Sequence, residues 1–221
     1  MLIERPPQWV RRLAPEGVFR PDTGGDKRVY LTFDDGPVPE ATPFVLDTLD
    51  AFGAKAVFFH VADNARRYPE LAAEVRRRGH AVGNHTMHHL QGLRCATEAY
   101  LADVAEADAL LGSRLFRPPH GWMRRGQARA LARDYAVVMY DLVTRDYSRR
   151  LTAADVEARV RRYARPGSII VFHDSRKSID RLRTALPTSL QWLRDAGFTF
   201  GRLWDDIAIP GGYGWERRTK Y

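Results

Sequence analysis

Several features that would assign a protein to a special class are missing from this sequence. Its 221 residues include one cysteine, Cys95, so an intrachain disulfide framework and a cysteine-rich metal site are both excluded. No apolar run approaches the roughly 18–20 residues that a membrane helix needs. The first residues also lack the uninterrupted apolar stretch of a secretory signal, because Arg11 and Arg12 break it. We therefore expect no membrane span and a cytoplasmic location.

Lysine is scarce, and the positive charge comes almost entirely from arginine. The chain has 35 basic and 27 acidic residues, which gives a formal net charge of +8. Arginine runs such as Arg76–Arg78 and Arg149–Arg150 are short and scattered, without the interleaved aromatic side chains or known module of a nucleic-acid site. Such runs are typical of solvated helix faces, so no nucleic-acid partner is expected. Steeply salt-dependent binding to DNA without hydrolysis would support the alternative.

The length fits one domain, since domains typically contain about 100–200 residues and barrels up to about 250. Residues 1–27 are rich in proline and predict an N-terminal leader that packs on the domain, with Trp9, Val10 and Leu13 on one short helix. Residues 28–221 are predicted to form the domain itself. A monomer is expected.

Strand and helix patterns alternate from residue 29 onward. The predicted strands are 29–33, 56–59, 81–82, 115–116, 136–140 and 168–172, with an extended segment at 198–200. The predicted helices are 43–52, 69–78, 97–111, one in the basic stretch after Pro119, one that begins after Thr152, and 190–196, with Thr42, Thr97 and Thr152 as N-caps. Strands separated by helices of about 10–15 residues imply a parallel sheet. Seven alternations of strand and helix favour a closed or nearly closed α/β barrel over a doubly wound sheet, and the absence of a glycine-rich phosphate loop after the first strand agrees with this.

Polar residues follow most of the predicted strands. In order they are Asp34 and Asp35, the segment His85–His89, Arg117, Asp141 and Asp146, and His173 with Asp174. In parallel α/β folds the carboxyl ends of the strands meet at one face, where ligands bind. We therefore expect all of these side chains to converge on one rim.

Asp34 and Asp35 are adjacent carboxylates at the end of a strand. Their charges repel, which raises one pKa unless a cation intervenes. A metal ion would take one carboxylate and leave the other as a base, whereas the alternative is a turn pair in Asp-Asp-Gly-Pro. These residues alone support both interpretations equally.

The histidines of the segment His85–His89 point to a metal site. His85 and His89 would share one face if the segment turns helically, and His85 and His88 would also be close enough, so the spacing does not choose between them. Two imidazoles and one carboxylate leave positions open for water and substrate, as in a catalytic metal site. Zn²⁺ is the expected ion, and Co²⁺ or another divalent metal would suit the same ligands.

Arg117 and His173 each allow two interpretations. Arg117 lies in a backbone stiffened by the prolines that follow it, where its guanidinium could hold a carboxylate such as Asp34 or form a surface salt bridge. His173 emerges from an apolar strand, so its imidazole is expected to be partly buried. It could serve the site or be a core histidine bonded to Asp146 or Asp174.

Five segments resemble, in order and spacing, the motifs of the polysaccharide deacetylases, which are carbohydrate esterase family four with the NodB-homology fold. They are Thr32–Pro37, His85–His89, Arg117–Gly121, Arg145–Tyr147 and Val171–Asp174. The match covers roughly residues 28 to 203. The resemblance implies a distorted (β/α) barrel with seven or eight parallel strands. It also implies a metal-dependent hydrolase that removes an N-acetyl group from an N-acetylated amino sugar or its polymer, such as a chitin oligosaccharide or a peptidoglycan-like glycan.

The resemblance also implies roles for individual residues. Asp35, His85 and His89 would bind the metal, so the motif selects His89 over His88. Asp34 would be the general base. His173 would be the general acid.

Further positions would support or line this site. Arg117 would orient Asp34, and Asp146 would tune His173. The substrate-binding residues would be His120, Tyr147, Pro119 and Val171. Two of these depart from the family pattern, since His120 replaces an aromatic residue whose backbone N–H serves the oxyanion site, and Tyr147 replaces the usual tryptophan.

Two other functions fit the same residues. The first is an esterase that removes O-acetyl groups from xylan or another acetylated glycan, which would depend less on His173 because an alkoxide leaves more easily than an amine. The second is a non-catalytic glycan-binding protein, which is disfavoured because every proposed catalytic position is filled.

Overall fold

The computed structural model describes residues 4–212, apart from the side chain of Leu13. The strands are β1 (Gly17–Val18), β2 (Arg28–Asp34), β3 (Ala56–His60), β4 (Ala81–Asn84), β5 (Leu115–Phe116), β6 (Ala136–Val138), β7 (Leu142–Val143), β8 (Ile169–His173) and β9 (Thr199–Phe200). The helices are α1 (Gln8–Leu13), α2 (Thr42–Ala51), α3 (Ala62–Arg67), α4 (Pro69–Arg77), α5 (Thr97–Leu111), α6 (Arg125–Leu131), α7 (Ala153–Tyr163) and α8 (Ile179–Asp195). Within residues 4–212 no helix is both long and apolar enough to span a bilayer.

The strands form one parallel sheet that curls on itself. Its order is β1-β6-β5-β4-β3-β2-β8-β7, and β9 pairs with the start of β2. Strand β6 lies next to one end of this order and β7 lies at the other, yet only residues 139–141 separate them in the chain. Because each residue spans at most about 3.3–3.6 Å, the two ends of the sheet must lie close together. The predicted α/β barrel with seven or eight parallel strands is confirmed.

The alternation of side chains along β2 sets the interior of the barrel apart from its outer layer. Leu31 and Phe33 pack in a large buried cluster with residues of α2, α7 and α8. Tyr30 belongs to a second cluster made mostly of strand residues. Since successive side chains of a strand point to opposite faces, Thr32 and Asp34 lie on the same face as Tyr30. Asp34 therefore ends the strand inside the mouth of the barrel.

The N-terminal residues contact both ends of the curled sheet. The N–H of Met139 donates to the carbonyl of Val18 at 2.8 Å, and the N–H of Val143 donates to the carbonyl of Glu4 at 2.8 Å. Part of the predicted leader thus supplies β1, an edge strand of the sheet, as well as α1. The domain boundary at residue 27 stays a prediction, and the last residues of the predicted domain, 213–221, lie outside the described residues.

The prediction for the α1 face was only partly right. Val10 is buried, whereas Trp9 is 60% exposed. The side chain of Leu13 lies outside the described part. Helix α1 therefore packs through Val10, with Trp9 turned toward solvent.

Several predicted element boundaries were wrong. Helix α8 begins at Ile179 rather than at residue 190, because a buried face at helical spacing runs from Ile179 through Leu182 and Leu186 and continues past Pro187. The predicted strand 136–140 ends at Val138, because residues 139–141 leave β6 and cross to β7. The elements β1, α3 and β7 were not predicted, since elements of two to six residues carry little periodicity.

The predicted helix caps had mixed outcomes. Thr152 is the N-cap of α7, and its hydroxyl accepts the N–H of Asp155. Helices α2 and α5 instead begin at Thr42 and Thr97, which do not act as N-caps. The hydroxyl of Thr42 bonds to a buried carboxylate near the barrel mouth.

Candidate active site

The carboxyl ends of four strands bring most of the predicted polar residues together. Asp34 and His173 end β2 and β8, and they are direct neighbours in the register of these two strands. His85 follows β4 and Arg117 follows β5. This is the rim that the sequence predicted, with the exception of Asp141.

Arg117 holds Asp34 inside the barrel. Its Nη1 donates to Asp34 Oδ1 at 2.7 Å and to Thr32 Oγ1 at 2.8 Å, and both members of this ion pair are almost fully buried. The remaining guanidinium nitrogens, Nε and Nη2, donate to the carbonyls of Val138 and Met139. The interpretation of Arg117 as a surface salt bridge is wrong. One oxygen of Asp34 is therefore held by an arginine that three further buried hydrogen bonds keep in place.

Asp35, His85 and His89 form the one cluster within residues 4–212 whose side chains could hold a metal ion. Asp35 Oδ1 lies 3.1 Å from His89 Nε2 and 3.7 Å from His85 Nε2. Donor atoms that surround one ion tetrahedrally at about 2.0–2.2 Å lie about 3.3–3.6 Å apart. The donor spacing and the donor types therefore fit a divalent cation of the zinc kind.

His85 is prepared to act as a ligand through Nε2. Its Nδ1 lies 2.7 Å from the carbonyl of Arg117, which can only accept, so Nδ1 carries the proton. Nε2 then has a lone pair, and it faces Asp35. Burial lowers the pKa of His85 to about 4, so the ring is neutral at neutral pH, as a metal ligand must be.

The histidines meet through a loop and not through a helix. Thr86 and His89 have positive φ angles of 68° and 56°, and no helix is formed between His85 and His89. The assumption that a helical turn brings His85 and His89 to one face was therefore wrong. His88 points elsewhere, since its Nδ1 lies 2.6 Å from Asp103 Oδ1, and this settles the choice between His88 and His89.

Asp35 sits in a tight turn held by Asn64 and by the pair Asp174 and Thr42. Its φ angle is +78°, and its carbonyl accepts a hydrogen bond from Asn64 Nδ2 at 2.8 Å. The next residue, Gly36, donates its N–H to Asp174 Oδ1 at 3.2 Å, while Thr42 Oγ1 donates to Asp174 Oδ2 at 2.6 Å. Only Asp174 carried a signal in the sequence, because it follows a buried strand and completes the fifth motif.

His173 is paired with Asp146. Its Nδ1 lies 2.7 Å from Asp146 Oδ1, and its backbone N–H donates to Asp146 Oδ2 at 2.8 Å. Burial alone would lower the pKa of His173, but the charge and hydrogen bond of Asp146 outweigh it and raise this pKa to about 9. His173 is therefore protonated at neutral pH, and Asp146 rather than Asp174 is its partner.

The residues predicted to bind substrate surround this centre. The ring of His120 lies 4.8 Å from that of His89, and the ring of Tyr147 lies 4.8 Å from that of His173, both edge to face. His120 has a φ angle of +62°, and its side chain is exposed. Pro119 and Val171 are buried, and Val171 packs with Tyr147.

Asp141 does not belong to the rim, contrary to the prediction. Its carboxylate binds Arg11, Arg165 and Ser168 Oγ. Ser168 precedes β8, so this cluster lies at the amino end of the strand, away from His173. The prediction failed because the chain runs back between β6 and β7, which places residue 141 at the opposite end of the barrel.

Comparison with known proteins supports the same reading of the fold and the motifs. The family model described as polysaccharide deacetylase matches residues 22–139. A peptidoglycan-N-acetylglucosamine deacetylase of Bacillus cereus is 31% identical over 183 residues, which cover 79% of this chain and 85% of the relative. A chitooligosaccharide deacetylase of Sinorhizobium fredii is 37% identical over 158 residues, covering 68% of this chain and 73% of the relative.

A solved structure has the same fold. It is the crystal structure of a peptidoglycan N-acetylglucosamine deacetylase in complex with 4-naphthalen-1-yl-N-oxidanyl-benzamide. It superposes with a TM-score of 0.80 at 26% identity, covering 91% of this chain and 96% of that chain. The family match, the relatives and the shared barrel together lead to the conclusion that this chain belongs to the polysaccharide deacetylase family.

Proposed function

We propose that this protein hydrolyses the N-acetyl group of an N-acetylated amino sugar, alone or within a glycan such as a chitin oligosaccharide or peptidoglycan. The observation that supports this most strongly is the division of labour between two adjacent carboxylates. Asp35 lies with His85 and His89, whereas Asp34 is held by Arg117. The named relatives that deacetylate chitin oligosaccharides and peptidoglycan support the substrate class.

Asp35, His85 and His89 would hold a zinc ion. When bound there, the cation polarises the acetyl carbonyl and lowers the pKa of a bound water toward about 7. The orientation of the ligands comes from the protein, because the carbonyl of Arg117 fixes the ring of His85 and the turn of Asp35 fixes its carboxylate. Such partners typically set the affinity of a site for its metal.

Asp34 would take the proton from the attacking water. Its Oδ1 is occupied by Arg117, which leaves Oδ2 as the atom that accepts the proton. A base must be held within hydrogen-bond reach of its proton, and the bond to Arg117 restricts Asp34 to one orientation.

His173 would give a proton to the leaving amine. Asp146 occupies Nδ1, so Nε2 is the nitrogen that donates. The raised pKa of His173 keeps this proton in place at neutral pH. The backbone N–H of His120, turned by its positive φ, would donate to the developing oxyanion, a type of contact worth about 3–4 kcal/mol.

Acetate release from three substrates tests the proposal. The purified protein is incubated with chitin oligosaccharides, peptidoglycan fragments and O-acetylated xylan, with and without a chelator, and then with added zinc. We expect faster release from the N-acetylated substrates, loss with the chelator and recovery with zinc. Release from xylan alone would establish the esterase instead, and binding without release from any substrate would establish a glycan-binding protein.

A further inference from the structure

An apolar cavity lies between α1, α6 and the loop that follows His120. Its volume is about 320 Å³, within the range of pockets that bind small ligands. Most of its lining is apolar and comes from α1, the residue after β1, the turn before α5, the loop after His120 and the residue after β6. The main lining side chains are Val10, Phe19, Leu93, Trp122, Met123 and Met139.

Two residues connect the walls of the cavity to the reacting groups. Gly121, which lines the cavity, follows His120, whose ring contacts that of His89. Met139, which also lines it, accepts a hydrogen bond from Arg117 through its carbonyl at 2.9 Å. The cavity and the candidate site therefore share two pieces of backbone, at residues 120–121 and at Met139.

The mouth of the cavity is positively charged. Arg124 and Arg125 line it, both are exposed, and neither forms an ion pair with a carboxylate within residues 4–212. Arg124 Nη2 donates to the carbonyl of Leu93, another lining residue, at 3.3 Å. None of the described lining residues is acidic. The cavity thus suits a ligand with an apolar chain and an anionic group beside it.

We propose that the cavity binds the alkyl chain of a lipid-linked amino sugar, whose connecting phosphate lies against Arg124 and Arg125. This deepens the proposed function and rests on it, since it names the class of acetylated sugar. A neutral glycan polymer would leave an apolar cavity of about 320 Å³ unfilled and the guanidinium groups of Arg124 and Arg125 without an anionic partner. A phosphate-linked chain satisfies both.

Substrates of increasing chain length test the apolar part. Alkyl glycosides of N-acetylglucosamine with methyl, octyl and decyl groups are compared by kcat/KM. We expect a gain of about twofold to fourfold per methylene, as burial of one methylene allows. The gain should end near ten carbons, because the volume equals that of about ten water-sized groups.

Variants of the lining residues distinguish binding of the alkyl chain in the cavity from catalysis at the candidate active site. Ala128→Met fills the cavity from α6, and Ala130→Met on the same helix is the matched control outside it. We expect Ala128→Met to abolish the gain with chain length while activity on the methyl glycoside is unchanged. Leu93→Gln, at a side chain that is 46% exposed and so tolerates replacement, should reduce the same gain. An unchanged ratio of decyl to methyl activity in both variants would overturn the proposal.

A binding measurement keeps the proposal testable if no sugar is hydrolysed. Calorimetry with decyl phosphate and with neutral decyl maltoside, below micelle concentrations, is compared in the wild type and in Arg124→Gln/Arg125→Gln. We expect the double variant to bind decyl phosphate about tenfold or more weakly and to bind the maltoside with nearly the same affinity. Arg133→Gln, which removes one positive charge elsewhere on the surface, is the control. Equal binding by all three proteins would overturn the proposal. If the wild type formed a dimer, and Ala128→Met abolished the dimer without changing alkyl binding, the cavity would be an interface with a second copy of the chain. That result would also overturn the proposal.

Discussion

The carboxylate of Asp174 fills the space that a side chain at position 36 would need. A Cβ atom on Gly36 would lie 2.0 Å from Asp174 Oδ2, while the N–H of Gly36 donates to Oδ1 of the same carboxylate. The residue before Gly36 is Asp35, whose carboxylate faces the two histidines. Two neighbouring strands are thus tied together directly behind a proposed metal ligand.

Replacement of Gly36 by alanine should therefore disturb the metal site. Because Asp174 is fully buried, it cannot move aside without losing its bonds to Gly36 and Thr42. We expect Gly36→Ala to lower zinc affinity by roughly 10–100-fold, as loss of an orienting contact does at other metal sites. Zinc titration against a competing chelator measures this. Gly126→Ala is the control, since a Cβ there meets nothing within 4 Å and zinc affinity should be unchanged.

The two neighbouring histidines provide a matched test of the metal ligands. His89→Ala removes an imidazole from the cluster with Asp35, whereas His88→Ala removes one that bonds to Asp103. We expect the first variant to lose stoichiometric zinc and the second to keep it. Elemental analysis of both purified proteins measures the difference. A His89→Ala protein with one zinc ion per chain would contradict the assignment.

Asp34→Asn tests the proposed base. An asparagine can still accept the hydrogen bond from Arg117 through its amide oxygen, but it cannot take a proton. We expect zinc content and folding to be retained and kcat to fall by about 10²–10⁴-fold, the usual contribution of such a group. Undiminished activity would show that another group removes the proton.

The pH dependence of the reaction should depend on Asp146. With the pKa of His173 at about 9, the proposed acid is protonated at neutral pH, and activity should fall as pH rises through that value. Asp146→Asn removes the charge that raises the pKa, so the basic limb should move to lower pH by roughly 1–3 units. A pH profile of kcat/KM for both proteins checks this. An identical basic limb in the variant would exclude His173 as the acid.

Asp141 should affect stability and not chemistry. Burial alone would raise its pKa, but hydrogen bonds from Arg165, Ser168 and Arg11 hold it at about 2, below the value of an unfolded chain. The contribution of Asp141 to the free energy of unfolding is therefore fully present above about pH 4 and is lost as pH falls through about 2. Since the arginines are 22% and 32% exposed, we expect Asp141→Asn to cost only about 1–3 kcal/mol of unfolding free energy.

Denaturant unfolding at neutral pH measures this effect. Asp205→Asn is the control, because Asp205 pairs with Arg202 at the surface and its loss should leave stability unchanged. Activity per folded molecule should be equal in both variants. If Asp141→Asn lost activity without losing stability, Asp141 would belong to the site after all.

The sequence by itself determined the alternation of strands and helices, and therefore the parallel barrel. It also located the reactive residues, because Asp34, Arg117 and His173 end or follow buried strands, and such ends meet at one face. These features depend on local patterns and on rules that hold for every parallel sheet. The motifs are short local segments, so they could be identified in the sequence alone.

Only the tertiary structure decided which polar groups meet. The motif favours His89 over His88, but the spacing does not, because positive φ angles turn the loop toward Asp35 and no periodicity encodes such a turn. Asp141 lies at the far end of the barrel because residues 139–141 cross from the end of β6 to the start of β7, a strand that the sequence pattern did not predict. Hydrogen bonds between distant residues, such as that between Asp174 and Gly36, form only when the closed sheet brings β2 and β8 side by side.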